Sequence, residues 1–291
     1  METPPATIKL FLPFGDATRL RTAELSNWSG KALATPRSDL PAFFDRDEAD
    51  QAGVYILAGT DGRTGDTVAY VGEAEVLRLR LKRHVQDGQD YWNRVVVFVS
   101  KDENMTKAHV RYLEGALIDA AAEADRATLK NAQGSGGKLP EADRADMDVY
   151  LSKVRQLLPV LGSDLLTPKP NRATSKVTDT FTTTIRKLVA TGAPSAAGFV
   201  VFAGSQAVVK EKPSAHVHTP YLIDQRRRLV ESGALMDEGG HLLFTEDIEF
   251  TSPSAAASVV KGGSENGRTA WRNGDGRTLK QLDAEQSADD A

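Results

Sequence analysis

One acidic residue, Glu114, interrupts the apolar face of an expected helix between Thr106 and Asp125. The apolar positions at helical spacing are Val110, Leu113, Leu117, Ile118 and Ala121. A carboxylate within such a face is costly to bury without a partner. One interpretation is a salt bridge with Arg111 or Lys107 at the edge of the core. The other is a ligand for a hard metal ion, because Mg²⁺ is often held by one or two carboxylates together with water and phosphate.

Two sequences rich in β-branched and aromatic residues precede this helix. Gly53–Gly59 (GVYILAG) and Thr67–Gly72 (TVAYVG) are separated by a polar loop that contains glycine, which predicts a β-hairpin. The next stretch, 75–84 (EVLRLRLKRH), places Arg80 and His84 four residues apart. Its leucines fit both a strand and a helix, so their periodicity leaves the choice open.

The order of these residues resembles the GIY-YIG nuclease family over about residues 53–131. The matching positions are Gly53, Tyr55, Tyr70, Gly72, Arg80, His84, Glu114 and Asn131. The resemblance implies that 75–84 is helical, with Arg80 and His84 on one face, one turn apart. It also implies a nuclease module with a small central antiparallel sheet flanked by helices. Glu114 would then hold one divalent metal, Mg²⁺ or Mn²⁺, while Gly53, Gly72 and Asn131 support the site.

These residue types suit the hydrolysis of a DNA phosphodiester, which needs an activated water and positive charge at the phosphate. Arg80 offers a planar, permanently charged group for phosphate oxygens. Tyr55, Tyr70 and His84 would position and deprotonate the water. The family suggests Tyr55 as the general base, whereas ordinary pKa values of about 10 for tyrosine and about 6.5 for histidine favour His84. Both assignments stay open.

Further basic residues are candidates for contacts with nucleic acid. Arg78, Lys82 and Arg83 either form a solvated helix face or contact phosphate. Basic residues also outnumber acidic ones between Arg172 and Arg228. The candidates in that stretch are Lys210, Arg226, Arg227 and Arg228, and we expect them to bind phosphates.

The segment from about Phe199 to Leu282 resembles the domain of unknown function that often follows this nuclease module. The matching pieces include Phe202–Ser205, Phe250–Ala256 and Asn266-Gly267 before Trp271. They are also similar to the RAMA domains that are associated with restriction and DNA modification. The resemblance implies a substrate-recognition module in which Trp271 contacts nucleic acid. The other interpretation is a core tryptophan beside a well-capped helix.

The composition is that of a globular protein, with 40% apolar and 26% charged residues. The absence of cysteine excludes thiolate catalysis and cysteine zinc sites, and the scattered histidines leave oxygen atoms as the main metal ligands. No apolar stretch approaches the roughly 18 to 20 residues that span a bilayer, and the start lacks a secretion signal. We therefore expect a cytoplasmic protein without membrane or organic-cofactor binding. The net charge of -4 argues against nonspecific coating of nucleic acid but allows a local basic groove.

We expect an α/β (α+β) fold with a smaller C-terminal α+β domain. The expected divisions are a hairpin extension (1–46), the nuclease module (47–132), a helical linker (133–172), a nucleic-acid-recognition domain (173–282) and an acidic disordered tail (283–291). The favoured function is a metal-dependent DNA endonuclease. The alternative is an inactive nuclease fold that serves as a nucleic-acid-binding or regulatory adaptor. A protein-interaction scaffold is a third interpretation, and only the acidic charge supports it.

Overall fold

The computed structural model describes residues 5–62, 65–131, 134, 136–168 and 180–289. The chain divides into two units, Met1–Pro168 and Lys169–Ala291, and each unit has its own hydrophobic core. The part of the predicted module boundary that follows Pro168 lies outside the described residues, and so do Arg172 and Lys176 of the basic stretch.

The first unit is built on a seven-stranded sheet in the order β1-β2-β3-β6-β4-β5-β7. Its strands are β1 (Ile8–Phe11), β2 (Arg21–Leu25), β3 (Gly30–Pro36), β4 (Gly53–Thr60), β5 (Thr67–Ala74), β6 (Arg94–Ser100) and β7 (Thr128–Leu129). Neighbouring strands are antiparallel, except that β5 and β7 are parallel. Strand β6 lies between β3 and β4 and is buried on both faces, as its continuous apolar sequence predicts.

Helices pack on both faces of this sheet. They are α1 (Leu40–Phe44), α2 (Leu77–Gln86), α3 (Lys107–Ala124) and α4 (Glu141–Leu157). Side chains alternate along a strand, so Phe98 of β6 joins the core formed with α3 and α4, whereas Val97 packs with residues of α1 and α2. Tyr55 belongs to the same core as Val97. Helix α2 is therefore placed to carry its side chains to Tyr55.

Local signals explain where α2 and α3 form. The helical interpretation of 75–84 is confirmed, and α2 buries Leu77 and Leu81. The Thr106 hydroxyl accepts a hydrogen bond of 3.3 Å from the backbone N–H of His109 at the start of α3. Asp125 ends α3 in the left-handed conformation, with a φ of 49°.

Two segments that the sequence predicts to lie outside the nuclease module, the N-terminal extension and the linker, belong to the fold of the first unit. Strand β3 is not apparent from its sequence, GKALATP, because it contains glycine, proline and only one β-branched residue. It connects the hairpin of β1 and β2 to β6, so residues 8–36 extend the main sheet. Helix α4 lies in the expected linker, yet Tyr150, Val154 and Leu157 enter the core of the first unit.

The second unit contains two smaller antiparallel sheets, in the orders β14-β10-β9-β8 and β11-β13-β12. The strands are β8 (Phe181–Ile185), β9 (Leu188–Ser195), β10 (Gly198–Val201), β11 (Gln206–Ala207), β12 (Leu235–Asp237), β13 (Leu242–Phe244) and β14 (Ile248–Phe250). The helices are α5 (Pro213–His218), α6 (Pro220–Glu231), α7 (Pro253–Lys261), α8 (Gly267–Ala270) and α9 (Leu279–Asp289). The expected mixed α+β fold with a smaller C-terminal α+β region is confirmed.

The end of the second unit differs from its prediction. A disordered tail at 283–291 is wrong for the residues through Asp289, because they belong to α9. The start of α9 is held by hydrogen bonds between Thr278 and Gln281. Asp283 forms an ion pair of 2.7 Å with Arg268, which offsets repulsion among the acidic residues. Among the described helices, none is long and apolar enough to cross a membrane.

Candidate active site

Strands β4 and β5 bring two tyrosines together. Tyr55 lies opposite Gly72, and Tyr70 lies opposite Leu57, so both side chains extend from the same face of the hairpin. Their rings are nearly parallel, with centroids 6.2 Å apart and an interplanar angle of 22°. A side chain at Gly72 would overlap the Tyr55 ring and hydroxyl. Glycine at this position therefore leaves the space that the two tyrosines occupy.

Helix α2 adds an arginine and a histidine to the tyrosines. The Tyr55 hydroxyl lies 2.8 Å from Nε2 of His84. Arg80 donates from Nε to the Tyr55 hydroxyl at 3.0 Å and from Nη2 to the Tyr70 hydroxyl at 3.1 Å. Arg80 and His84 are four positions apart, which places both on the inner side of α2. The structure thus brings these four predicted site residues into one hydrogen-bonded cluster.

Burial changes the proton affinities within this cluster. Burial first, and then the proximity of Tyr70, raises the pKa of the Tyr55 phenol. Burial first, and then the positive charge of Arg80, lowers the pKa of His84. His84 is consequently neutral near pH 7 and can accept a proton at Nε2. The donor in the Tyr55–His84 hydrogen bond depends on the tautomer of His84: when Nδ1 carries the ring proton, the Tyr55 O–H donates to Nε2.

Asn131 fixes the strand that carries Tyr70. Its side-chain Oδ1 accepts a hydrogen bond of 3.2 Å from the Val71 N–H, and its Nδ2 donates to the Val71 carbonyl at 2.6 Å. Strand β5 pairs only briefly with β7, and Asn131 adds two hydrogen bonds to that edge of β5. Both bonds are made to Val71, the residue between Tyr70 and Gly72. Gly53 has a packing role at the start of β4, where an added Cβ would lie 2.5 Å from the Phe98 carbonyl oxygen. Both residues support the site through the backbone.

Glu114 lies beside the cluster, in a cleft of about 440 Å³ that Arg80 also lines. It is buried, with 8% of its surface exposed. Glu73 of β5 lines the same cleft. Burial first, and then the negative charge of Glu114, raises the pKa of Glu73. The cleft therefore places two carboxyl groups next to a permanent cation.

Glu73 is a further candidate site residue, and the sequence motifs do not identify it. It directly follows the TVAYVG sequence, and alternation along β5 directs it to the opposite face from Gly72. That face packs against α3, the helix that carries Glu114. Glu73 could have been found from the alternation of side chains along β5. That alternation places Glu73 on the face that packs against the helix of Glu114.

Two carboxyl groups in an open cleft fit the ligand chemistry of one hard divalent ion that keeps water ligands. Among the described residues, no group of three or more histidine, aspartate and glutamate side chains forms a metal cluster. Glu114 and Glu73 would hold such an ion only together with water and substrate oxygens. This donor set matches magnesium better than zinc, because it contains neither thiolate nor clustered imidazole.

The other basic residues of α2 differ in their surroundings. Arg83 is exposed and lines the cleft with Glu114. Arg78 instead donates from Nε and Nη2 to both Asp50 oxygens at 2.7 Å and also bonds the Phe44 carbonyl. Lys82 lies 5.5 Å from the centre of the Phe44 ring. Arg83 is thus the one of these three predicted phosphate contacts that borders the cleft.

Two predicted nucleic-acid contacts in the second unit are wrong because the residues are buried. Arg226 is 2% exposed and bonds Glu211 and the carbonyls of Val208 and Val259. Trp271 is fully buried, and its Nε1 donates to the Pro253 carbonyl at 2.9 Å. Its ring centroid lies 4.5 Å from that of Phe199. Both side chains stabilise the second unit and offer no surface to a ligand.

The remaining candidates in this unit are exposed. Arg227 pairs with Asp224 at 2.7 Å and with Glu231 at 3.9 Å on the outer side of α6. Arg228 lies on the same helix, and Lys210 follows β11. Because Arg227 is already paired with two acids, α6 offers less free positive charge than its sequence suggests.

Comparison with known families gives one match. A model of the family described as Domain of unknown function (DUF4357) matches residues 181–283. This match confirms the expected resemblance of the C-terminal segment to a domain of unknown function. It covers the second unit alone, and the first unit has no match to a GIY-YIG family model. No curated protein and no solved structure matches the chain.

Proposed function

We propose that the protein is a metal-dependent endonuclease that hydrolyses DNA phosphodiester bonds, with a second unit that recognises nucleic acid. The observation that carries this proposal is the cluster of Tyr55, Tyr70, Arg80 and His84 beside the cleft of Glu114. It combines a proton acceptor, a fixed cation and a carboxylate within one site. We retain the cytoplasmic location expected from the sequence as part of the proposal.

Tyr55 and His84 together supply a route for the proton of the attacking water. Burial disfavours a free Tyr55 phenolate, so Tyr55 alone is a poor base at neutral pH. If its O–H proton moves to Nε2 of His84 as water transfers a proton to the Tyr55 oxygen, no isolated phenolate is needed. Arg80 donates to that same oxygen and stabilises negative charge on it. The base is then the Tyr55–His84 pair rather than either residue alone.

Arg80 has donors left for a phosphate. A guanidinium group carries five N–H donors, and the two tyrosines use one at Nε and one at Nη2. The other donors can bind the phosphate oxygens on which charge accumulates during attack. Tyr55 has no exposed surface in the free protein. Substrate binding therefore has to open the Tyr55 oxygen to water while Nε of Arg80 stays bonded to that oxygen and the free donors of Arg80 bind the phosphate.

Glu114 would hold the metal, with Glu73 as the neighbouring carboxylate in the cleft. A bound Mg²⁺ supplies positive charge at the leaving 3′ oxygen. Glu73 holds its proton more strongly than an ordinary glutamate, because it is buried near Glu114. Loss of that proton would add a second negative charge to the cleft. Arg83 on the rim would help to attract the DNA backbone.

The test is cleavage of supercoiled plasmid in Mg²⁺ by the wild type, Glu114→Gln and Glu123→Gln. Glu123 is exposed on the same helix and is the matched control. We expect nicked and linear products from the wild type and Glu123→Gln, and none from Glu114→Gln. Cleavage by Glu114→Gln at the wild-type rate would refute the assignment of Glu114.

A second candidate is a nucleic-acid-binding adaptor that does not cleave. The full burial of Tyr55 favours it, because a general base has to contact water. The plasmid assay separates the two functions when it is run beside a binding measurement. Tight binding without products in Mg²⁺ or Mn²⁺ would select the adaptor.

A further inference from the structure

The second unit contains a cleft of about 600 Å³ that the site in the first unit does not include. It lies among the connection between β8 and β9, the chain at 208–213, the turn between β12 and β13, and the end of α7. Four cationic side chains line it, Arg186, Lys210, Lys212 and Lys261, together with two acidic ones, Glu211 and Asp237. Such a concentration of positive charge contrasts with the net charge of -4 on the whole chain.

Local acids neutralise only part of this charge. Lys212 and Lys261 share one carboxylate, Glu265, at 2.7 and 3.7 Å. Among the ion pairs of the described residues near the cleft, those of Lys212, Arg226 and Lys261, none involves Arg186 or Lys210. A cleft with unpaired cations on its walls attracts anions, because the low-dielectric walls concentrate the field.

One wall of the cleft is held in place from behind by Arg226. Glu211 also lines the cleft, but its Oε1 accepts a hydrogen bond of 3.1 Å from Nε of Arg226. Arg226 also donates to the carbonyls of Val208 and Val209. The buried arginine thus neutralises the acid next to Lys210 and fixes the backbone of this segment. The wall is therefore organised before any ligand binds.

The backbone at Arg186 provides a separate observation. Arg186 and Lys187 form the two-residue connection between β8 and β9, and Arg186 has a φ of 56°. Glycine and asparagine adopt this left-handed conformation more readily than a long side chain does. A strained position that carries a long cation over a cleft is a reason to expect a function for that cation.

We propose that this cleft binds a phosphodiester of a nucleic-acid strand, with Arg186 and Lys210 as the phosphate contacts. Leu188 and Val209 also line the cleft and supply an apolar surface for the sugar. The inference rests on the proposed function for the choice of nucleic acid over another polyanion. The proposal replaces the phosphate contacts that the sequence predicts on α6, because Arg226 is buried and Arg227 is paired with an acid. The phosphate contacts lie in the cleft instead.

The first test compares two neighbouring substitutions, Arg186→Asn and Lys187→Asn. Both remove one positive charge from the same connection, but only Arg186 lines the cleft and has a positive φ. Binding of the full-length proteins to a fluorescein-labelled DNA duplex is measured by anisotropy in EDTA. We expect Arg186→Asn to raise the Kd about five- to tenfold while increasing the thermal midpoint, and Lys187→Asn to change the Kd less than about twofold. Equal effects of the two substitutions would overturn the proposal.

The second test uses salt dependence. The double variant Arg186→Asn with Lys210→Gln should lower the slope of log K against log salt by about two, because each lost phosphate contact accounts for about one. The control combines Lys187→Asn with Lys280→Gln, an exposed lysine outside the cleft. An unchanged slope in the cleft variant would contradict direct phosphate contact.

Two further experiments identify the ligand of the cleft and distinguish failure of this proposal from failure of the proposed nuclease activity. Adenosine monophosphate and a labelled oligoglutamate peptide are titrated beside the duplex. Binding of either to the cleft more tightly than DNA would replace the nucleic acid with a free nucleotide or an acidic protein. Lys187→Asn should bind and cleave DNA as the wild type does, whereas Arg186→Asn should need about five- to tenfold more DNA to reach half-maximal cleavage. If the wild type does not cleave but Arg186→Asn still weakens binding, the cleft stands and the proposed nuclease fails.

Discussion

Two arginines, Arg226 in the second unit and Arg80 in the first, form hydrogen bonds with different kinds of acceptor. Arg226 is almost fully buried, and its guanidinium bonds Glu211 and the carbonyls of Val208, Val209 and Val259. Arg80 is only partly buried and bonds two tyrosine hydroxyls through Nε and Nη2. The first arginine has its hydrogen bonds directed to the protein itself. The second keeps donors for a ligand.

Under the proposed function, the hydrogen-bond partners of these arginines separate a structural from a catalytic role better than the exposed fraction of each side chain does. Buried backbone carbonyls need hydrogen-bond donors and a carboxylate in the interior needs a countercharge, and Arg226 supplies both. Tyrosine hydroxyls have no such need, because they can donate to water or to one another. An arginine directed to neutral hydroxyls next to an open cleft is therefore available for substrate.

The largest expected effect is on the stability of the second unit. Arg226→Met should lower its free energy of unfolding by about 3–5 kcal/mol, because Glu211 and several buried carbonyls lose their donor. Urea denaturation of the full-length protein, followed by calorimetric scans of the same variant, measures this loss. A loss below about 1 kcal/mol would show that the burial of Arg226 is not coupled to folding.

The next largest effect is a loss of activity that leaves the stability of the protein nearly unchanged. Arg80→Lys should reduce kcat on plasmid DNA by about 10²- to 10³-fold, because an ammonium group cannot bind two tyrosines and a phosphate at fixed angles. Its free energy of unfolding should change by less than about 1 kcal/mol. Arg78→Lys is the control, because Arg78 is engaged with Asp50 on the same helix. Equal kinetics for the two variants would place Arg80 among the structural arginines.

The sequence predicts the elements of the first unit best where they carry their own signals. Helix α3 has Thr106 and Asp125 at its ends, and strand β6 is continuously apolar. Strand β3 has no comparable signal, since its burial depends on pairing with β6, more than fifty residues later in the chain. Pairing between distant segments is a property of the whole sheet.

The same limit applies to the two sites. The resemblance to the GIY-YIG nuclease family, and not the spacing alone, predicts that Tyr55, Tyr70, Arg80 and His84 form one group, and the structure brings them together. Arg226 could not be separated from Arg227 in the sequence, because α6 is basic on more than one side. Only the packing of α6 shows which arginine is buried.

A smaller effect should appear in the pH dependence of cleavage. His84 has to be neutral to accept the Tyr55 proton, and burial lowers its pKa below the ordinary value of about 6.5. Cleavage should therefore persist at pH 6.5 and fall only as the pH decreases through the lowered pKa. The unfolded chain binds the proton more readily, so stability should also decline below pH 6.5.

The control for this pH profile is Glu73→Gln, since Glu73 also titrates on the acidic side. The acidic limb of kcat/KM should persist in Glu73→Gln and be absent from the residual activity of His84→Asn. A limb that follows Glu73 instead would assign the titration to the carboxyl cleft.

The smallest effect is expected for Arg227, the neighbour of Arg226 on α6. Its ion pairs with Asp224 and Glu231 are exposed, so Arg227→Gln should change the free energy of unfolding by less than about 0.5 kcal/mol. Urea denaturation beside Arg226→Met makes the contrast quantitative. Comparable losses for both substitutions would remove the distinction between a buried arginine that the fold requires and an exposed one.

The most direct test of the central claim is single-turnover cleavage of a DNA duplex by Tyr55→Phe and Tyr112→Phe. Both substitutions remove one hydroxyl, but Tyr55 bonds Arg80 and His84, whereas Tyr112 bonds the exposed Asp148. The account predicts that Tyr55→Phe slows cleavage by about 10²- to 10⁴-fold while Tyr112→Phe remains near the wild-type rate. Cleavage by Tyr55→Phe at the wild-type rate would contradict the claim that this cluster activates the water.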